Sequence, residues 1–333
     1  MEGSAGAGPV SLSLGWVAPR DAGWVGVAAP AAEGAAGAGW AWLPPAWQAR
    51  AVERDVAEVS TWLSEAHQVV ALTGAGISTG SGIPDYRGPN GLWTKDPRAA
   101  RTSSLSHYLA DGEVRRLAWR NRLSSPVWGA VPNPGHAALV ALERAGHLSA
   151  VVTQNVDELH QRAGHDPARV LELHGTMFWT RCWSCGDRRP MAEALARVRD
   201  GEEDPRCAAE PAGFRAEAPL GPERAGGGPY CGGVLRSDTI SFGQALDPAV
   251  LGAAQEVVRE ADLVVAIGSS LTVQPAAGLV PLARRSGARV VIVNAAPTRL
   301  DAVADAVVSG EISVVLPALV AGAGLTLPAP AAG

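Results

Sequence analysis

Four cysteines and seven histidines carry much of the chemistry open to this 333-residue chain. Cys182 and Cys185 form a Cys-x-x-Cys pair, which sets two thiolates on one tight turn, the half-site of a tetrahedral zinc centre. Cys207 and Cys231 are separated by an Ala/Gly/Pro-rich stretch, and Cys231 is followed by Gly232 and Gly233, which suit a second knuckle. Pairing the two halves gives a closed four-cysteine structural site with no position left open for catalysis. A redox pair at Cys182 and Cys185 is the competing reading. Among the histidines, His174 follows the strand-like Val170-Leu171-Glu172-Leu173 and precedes Gly175, so its ring is presented at a strand end. The near-neutral pKa of imidazole suits it to take a hydroxyl proton there. His160 falls within a helix and reads as structural. His136, in the first turn after Pro132-Asn133-Pro134-Gly135, reads as a packing or capping residue. Gly74-Ala75-Gly76 closes an apolar run, and glycines at such a turn let the backbone approach a pyrophosphate. The pattern is not Gly-x-Gly-x-x-Gly, and no acidic ribose reader stands at the usual distance, which disfavours an ordinary dehydrogenase.

Other chemistries are excluded by scarcity. Lys95 is the only lysine, and it sits in Trp93-Thr94-Lys95-Asp96-Pro97, so no phosphate loop of the Gly-Lys-Ser/Thr type exists. A Schiff-base mechanism would have to use that one residue, which follows no pocket-like sequence. Charge is nearly balanced, 28 Lys+Arg against 33 Asp+Glu for a net of -5, so no polybasic face for nucleic acid or membrane is expected. No run of apolar residues is long enough to predict a transmembrane helix, and no basic stretch precedes an apolar one at the N-terminus as in a secretory signal. The sequence therefore predicts a cytoplasmic protein.

Four apolar runs position these groups. His67–Thr73 leads into Gly74-Ala75-Gly76, and Leu148–Thr153 into Gln154-Asn155-Val156-Asp157. Asp262–Ile267 leads into Gly268-Ser269-Ser270, and Arg289–Val293 into Asn294. Continuous apolar strands alternating with helical stretches, such as Trp47–Ala66, His136–Ala145 and Ala253–Glu260, imply a parallel sheet covered on both faces. Ligands of such sheets lie at the carboxyl ends of the strands, and here those ends carry small or neutral hydrogen-bonding groups suited to sugar and phosphate oxygens. The expected architecture is α/β, a Rossmann-like doubly wound parallel sheet with a small inserted zinc-binding module. Its parts are a flexible Gly/Ala/Pro-rich segment at 1–46, the Rossmann-like domain at 47–175 and 242–320, the zinc module at 176–241, and a tail at 321–333.

The run from Gly74 to Trp93, the run Thr153-Gln154-Asn155-Val156-Asp157-Glu158-Leu159-His160, and Leu173-His174-Gly175 closely resemble, in order, the signatures of the sirtuins, the NAD-dependent protein deacylases. The likeness covers about 69–316. It implies NAD as co-substrate, one structural zinc, acylated protein lysines as partners, and neither nucleic acid nor membrane. In that family the acyl-lysine oxygen attacks the ribose anomeric carbon and nicotinamide leaves. A histidine, here His174, then takes a ribose hydroxyl proton, and free lysine and O-acyl-ADP-ribose result. The resemblance assigns Ile83 and Asp85 to the nicotinamide pocket, and Asn155, Asp157 and Gln154 to the ribose and a water. It assigns Arg87 to the phosphate side, and Gly74, Ala75, Gly76, Gly268, Ser269, Ser270, Asn294, Ala296 and Ile312 to the surroundings of the phosphates and adenosine. Tyr86 stands where many sirtuins have Phe, an aromatic shield over the reactive carbon, and Trp93 closes that motif. Ser241-Phe242-Gly243-Gln244 is similar to the family's Phe-Gly-Glu segment, with Gln in place of Glu. Phe242, Gly243 and Val273, in Leu271-Thr272-Val273-Gln274-Pro275, are expected at the substrate peptide, where an apolar tunnel suits a neutral acyl-lysine.

Trp119-Arg120-Asn121-Arg122 resembles, with Trp in place of Tyr, the Tyr-x-x-Arg of sirtuins that remove acidic acyl groups. A solvated helix arginine is the expectation for Arg122, and deacetylation the expected activity. Acidic or long-chain acyl groups, mono-ADP-ribosyl transfer and a non-catalytic NAD or zinc scaffold are the alternatives.

Overall fold

The computed structural model describes residues 15–17, 25–27, 45–86, 88, 91–96, 99–210 and 230–328. Within the N-terminal segment, β1 (Gly15–Val17) and β2 (Val25–Val27) pair antiparallel. Downstream come β3 (Val69–Thr73), β4 (Leu148–Thr153) and β5 (Val170–Glu172), then β6 (Gly175–Cys182), β7 (Arg188–Pro190) and β8 (Leu235–Thr239). The chain continues through β9 (Leu263–Ile267), β10 (Arg289–Asn294) and β11 (Ala306–Ser309). The first and third of these groups form one six-stranded sheet in the order β11-β10-β9-β3-β4-β5, and every pairing within it is parallel. The middle group forms a three-stranded antiparallel sheet, β7-β6-β8.

The period of two along each parallel strand divides the core. Val69 and Ala71 on β3, Val265 and Ile267 on β9, and Val291 and Val293 on β10 face one apolar cluster, together with residues of helices Pro45–Glu65, Pro134–Arg144 and Ile312–Gly322. Val70 and Leu72, Val264 and Ala266, and Val290 and Ile292 face the other, with helices Pro248–Glu260 and Leu279–Arg285. Burial on both faces is what continuous Val/Ile/Leu runs demand of a parallel sheet. The helix expected from Ala253 starts earlier, at Pro248. Asp247 accepts the Ala249 N–H and the proline occupies the first turn, a start signal that lies upstream of the apolar periodicity. His136 is a capping residue: its Nδ1 accepts the Asn133 N–H while Asn133 Oδ1 accepts from Gly135.

Sequence order runs outward from β3 through β5, returns to the middle at β9, and runs outward the other way to β11. The crevice outside the carboxyl ends of β3 and β9 is therefore the topological switch point, where doubly wound sheets bind ligands. Two backbone turns meet in it. The Gly76 N–H donates to Gly268 O at 2.8 Å, and a Cβ on Gly76 would stand 2.7 Å from Gly268 Cα. Gly268 has φ +63, and a Cβ there would lie 2.5 Å from Ile77 N. Both the left-handed backbone and the closeness of the turns exclude a side chain. Gly268→Ala should therefore lower unfolding stability by about 2 kcal/mol or more, read as a shifted urea midpoint at unchanged slope. A midpoint equal to wild type would contradict this packing.

Candidate active site at the sheet switch point

His174 lies just beyond the carboxyl end of β5, half-buried. Its backbone is held on two sides, by Leu173 N–H to Thr153 O at 2.9 Å and Ile240 N–H to His174 O at 2.8 Å. Its Nδ1 is 2.9 Å from Gln154 O. A carbonyl can only accept, so Nδ1 carries the hydrogen and Nε2 keeps the lone pair. Burial lowers the His174 pKa and the Gln154 hydrogen bond opposes that shift, so the ring is neutral and able to accept a proton at neutral pH.

Beside it, the turn after β4 gathers polar groups out of water. Asn155 donates through Nδ2 to Gly74 O at 3.2 Å and to Ser78 Oγ at 3.1 Å. Ser78 in turn donates to Asp157 Oδ2 at 2.7 Å, and Asp157 Oδ1 accepts the Leu159 N–H at 3.0 Å. Burial raises the Asp157 pKa, while the Leu159 N–H and the Ser78 hydroxyl hold part of that rise back. Gln154 reaches across the switch point to Ser269 Oγ at 3.0 Å. The turns after β3, β4 and β9 are thus joined by side chains as well as by the glycine backbone.

The glycine turn continues as a 3-10 helix, Ala75–Ser81, with Ile83 tied back to Ser78 O. Asp85 closes the next turn by accepting the Gly88 N–H through Oδ1 at 2.9 Å. Tyr86 and Trp93 stack with ring centroids 4.8 Å apart, and Trp93 meets Phe242 edge-on at 5.3 Å. Phe242 is fixed by its backbone, which bonds Ser103 O at 2.8 Å and Leu105 N at 3.0 Å. These rings form a partly exposed apolar wall. Arg87 lies outside the described residues. Gly243 follows Phe242 at φ +88, and Val273 is half-buried in an irregular segment after Leu271. On the other flank, Ser270 bonds Thr272. Asn294, at the end of β10, donates to Ala296 O at 2.6 Å. Ile312 opens the helix Ile312–Gly322, and its Cδ1 would lie 2.8 Å from a Cβ on Gly268. Glycine backbone at the centre, neutral amides and hydroxyls around it, and an aromatic wall on one side form a donor set that fits an extended dinucleotide.

The four cysteines converge. Their Sγ atoms all lie within 4.8 Å of one another, with Cys182 and Cys231 3.7 Å apart and Cys185 and Cys207 3.6 Å apart. Four Zn–S bonds of about 2.3 Å in a tetrahedron require S···S separations of about 3.8 Å. Backbone N–H groups of Ser184 and Cys185 point at Cys182 Sγ, and that of Ala209 at Cys207 Sγ, as thiolates at metal knuckles need. The thiols are not disulfide-bonded, and the cluster is capable of holding one zinc. Arg122 differs from the solvated helix arginine expected. It is half-buried, donates to Ser237 Oγ at 3.1 Å, and lies over the Trp119 and Tyr108 rings. Helix Gly112–Leu123 packs on the cysteine module: Trp119 joins the module core and Arg115 pairs with Asp204 at 2.9 Å.

Two residues of the site gave no sequence signal. Ser78 is a serine in a glycine loop until Asp157, 79 residues away, is seen to accept its proton. Glu172 precedes His174 by two positions. Its carboxyl is pushed up to about 7, first by burial and further by the charges of Glu158 and Asp157, against a hydrogen bond from Gln161.

A model of the Sir2 family matches residues 74–275. The chain is 47% identical over 256 residues to "NAD-dependent protein deacetylase 2" of Streptomyces coelicolor, covering 77% of this chain and 98% of that protein. It is 40% identical over 263 residues to "NAD-dependent protein deacetylase 1" of Pyrobaculum aerophilum, covering 79% and 92%. Among solved structures, one described as "Structural Basis for the Mechanism and Regulation of Sir2 Enzymes" superposes with a TM-score of 0.68 at 36% identity, over 82% of this chain and 98% of that one. Another, "Sir2-p53 peptide-NAD+", gives 0.66 at 30% identity over 80% and 98%.

Two outcomes follow from the geometry. The purified chain should hold one zinc per molecule by elemental analysis, and Cys231→Ser should lower that occupancy sharply; a zinc-free wild type would contradict the four-thiolate site. Glu172 binds its proton more tightly when folded, with a pKa of about 7 against 4.5. It therefore costs stability as pH rises from 4.5, and the cost is complete above 7. Glu172→Gln should stabilise the fold at pH 8 by up to about 3 kcal/mol and have no effect below pH 4. Urea midpoints at the two pH values check the sign.

Proposed function

The chain belongs to the Sir2 family, and on that premise we propose that the residues gathered around His174 remove acetyl groups from protein lysines with consumption of NAD. NAD-dependent protein deacylation is the chemistry of the family. The observation that carries the site assignment is the Gln154 carbonyl on His174 Nδ1, which leaves Nε2 free as a base at the mouth of the switch point.

NAD, when bound, supplies an electrophilic ribosyl carbon and a nicotinamide leaving group. Gly74, Ala75, Gly76, Gly268, Ser269 and Ser270 would hold its phosphates, with Arg87 on the same side and Asn294, Ala296 and Ile312 toward the adenosine. Ile83 and Asp85 would take the nicotinamide, Asp85 through its carboxamide. Asn155, Asp157 and Gln154 orient the adjacent ribose and a water, and the buried Ser78–Asp157–Asn155 set is prearranged for it, which avoids reorganisation during the reaction. His174 Nε2 takes the proton of a ribose hydroxyl, which frees that oxygen for the acyl carbon. Tyr86, Trp93 and Phe242 exclude water from the reacting carbon. Phe242, Gly243 and Val273 receive the acyl-lysine, whose neutral amide is far less costly to take out of water than the charged ammonium of free lysine.

The engagement of Arg122 with Ser237 and Tyr108 favours acetyl over acidic acyl groups, because its guanidinium already has partners. The same reading keeps the 47–175 and 242–320 segments as the NAD-binding part and 176–241 as the zinc module. A cytoplasmic location is supported by the four cysteines, gathered as thiols at one metal site instead of paired as disulfides; among the described residues no helix is long and apolar enough to cross a membrane.

With acetyl-lysine peptide and NAD, wild type should release nicotinamide, and His174→Ala should lose at least about 100-fold in kcat. Activity of His174→Ala near wild type would overturn the base assignment.

A further inference from the structure

Behind the active site, three histidine rings are packed in series with almost no exposure: His136 at 0%, His160 at 1% and His165 at 3%. The His136 and His160 centroids are 5.1 Å apart, and those of His160 and His165 5.6 Å. His165 is anchored by Glu143 of helix Pro134–Arg144, with Arg144 beside it. His136 Nε2, His160 Nδ1 and His165 Nε2 are buried with no hydrogen-bond partner. An imidazolium with an unpaired N–H in such a place is costly, and burial holds all three pKa values below the ordinary range, His136 at about 3. The cluster is a block of neutral rings. Two polar contacts lead from it toward the site: His136 Nδ1 accepts the N–H of Asn133, whose amide holds Ile77 O in the glycine turn, and His160 Nε2 lies 2.9 Å from Thr73 Oγ1, at the carboxyl end of β3.

From Thr73 the connection continues. Thr73 O accepts the Gln154 N–H at 2.9 Å, and Gln154 O is the group that holds His174 Nδ1 at 2.9 Å. We propose that His160 is a positioning residue for the base: by clamping Thr73 it fixes the backbone of Gln154, whose N–H is held by Thr73 O and whose carbonyl, on the next peptide unit, decides which nitrogen of His174 keeps its hydrogen. The first N–H of helix Leu159–Ala163, which carries His160, is accepted by Asp157 Oδ1. The inference rests on His174 being the base. It adds that the tautomer of His174 is set from behind the sheet, by residues that touch neither NAD nor peptide.

The direction of the effect is fixed by the His174 hydrogen bond. The Gln154 carbonyl raises the His174 pKa against burial. If the peptide is free to turn, that support weakens and the acid limb of the pH–rate profile moves to lower pH. The maximum rate falls as well, because part of the neutral ring now carries its hydrogen on Nε2. A change that merely reduced the folded fraction would lower the plateau and leave the limb in place.

The test uses four variants of the full chain: Thr73→Val, which keeps the shape and deletes the hydroxyl; His160→Phe; His160→Gln, which restores a polar atom near the position of Nε2; and His174→Ala. Initial rates with acetyl-lysine peptide and NAD are measured from pH 5.5 to 9, with circular dichroism to normalise for folded protein. Thr73→Val and His160→Phe should lose about five- to tenfold in kcat, the scale of one buried hydrogen bond, with KM for both substrates within about twofold and the acid limb displaced downward. His160→Gln should recover most of the rate and the wild-type limb. If His174→Ala is inactive while Thr73→Val and His160→Phe keep the wild-type kcat and limb, the positioning role is wrong and the base assignment stands. If His174→Ala remains active, the base assignment itself fails. Should His160→Phe not fold, Thr73→Val decides alone, since valine replaces threonine with little change of volume.

Discussion

The contact between the turns after β3 and β9 governs the rest of the molecule. At that point the peptide of Gly76 lies against the peptide of Gly268 with no room for a side chain between them. Parallel strands that neighbour each other in space but lead in opposite directions along the chain leave a crevice where their connections diverge. The backbones of the two glycine turns form its floor, with Ser269 Cβ and Ile312 Cδ1 beside them. Gln154 from the turn after β4 bridges to Ser269, and Asn155 reaches Gly74 O, so that turn is hung on the glycine turns instead of standing free. Widening the floor by one methyl group would displace the Gln154 and Asn155 amides and His174 together.

A second dependence links His174 to the cysteine cluster. β6 begins at Gly175, directly after His174, and ends at Cys182, one of the four thiols of the cluster. β8 pairs with it and leads through Ile240, whose N–H holds His174 O, to Phe242 of the aromatic wall. Although the thiols leave no position open for catalysis, they close the far end of the two strands that lead to His174 and Phe242. Trp119, Arg115 and Arg122, all on helix Gly112–Leu123, fasten the same module.

The sheet was readable because burial on both faces forces continuous apolar runs, and Val69–Thr73, Leu148–Thr153 and Leu263–Ile267 are such runs. The glycine turn, the Gln-Asn-x-Asp turn and His174 were readable because each follows a strand directly, where a parallel sheet must present its ligand groups. The Cys-x-x-Cys half-site was readable from spacing alone. Long-range partnerships were not. Nothing local to Thr73 points to His160, 87 residues on, or from Arg122 to Ser237, 115 residues on. Residue type gave Arg122 a solvated surface position, and tertiary packing gave it two aromatic rings and a hydroxyl. Glu172 likewise carries no signal in sequence, because its raised pKa comes from burial and from carboxylates on other segments.

In NAD-dependent protein deacylation the acyl group leaves lysine for the ribose of NAD, and product stoichiometry reads that transfer without intermediaries. With acetyl-lysine peptide and NAD, nicotinamide, O-acetyl-ADP-ribose and deacetylated peptide should form in equal amounts at every time point, by mass spectrometry. Deacetylated peptide formed with free acetate and no loss of NAD, or NAD consumed with ADP-ribose attached to protein, would contradict it.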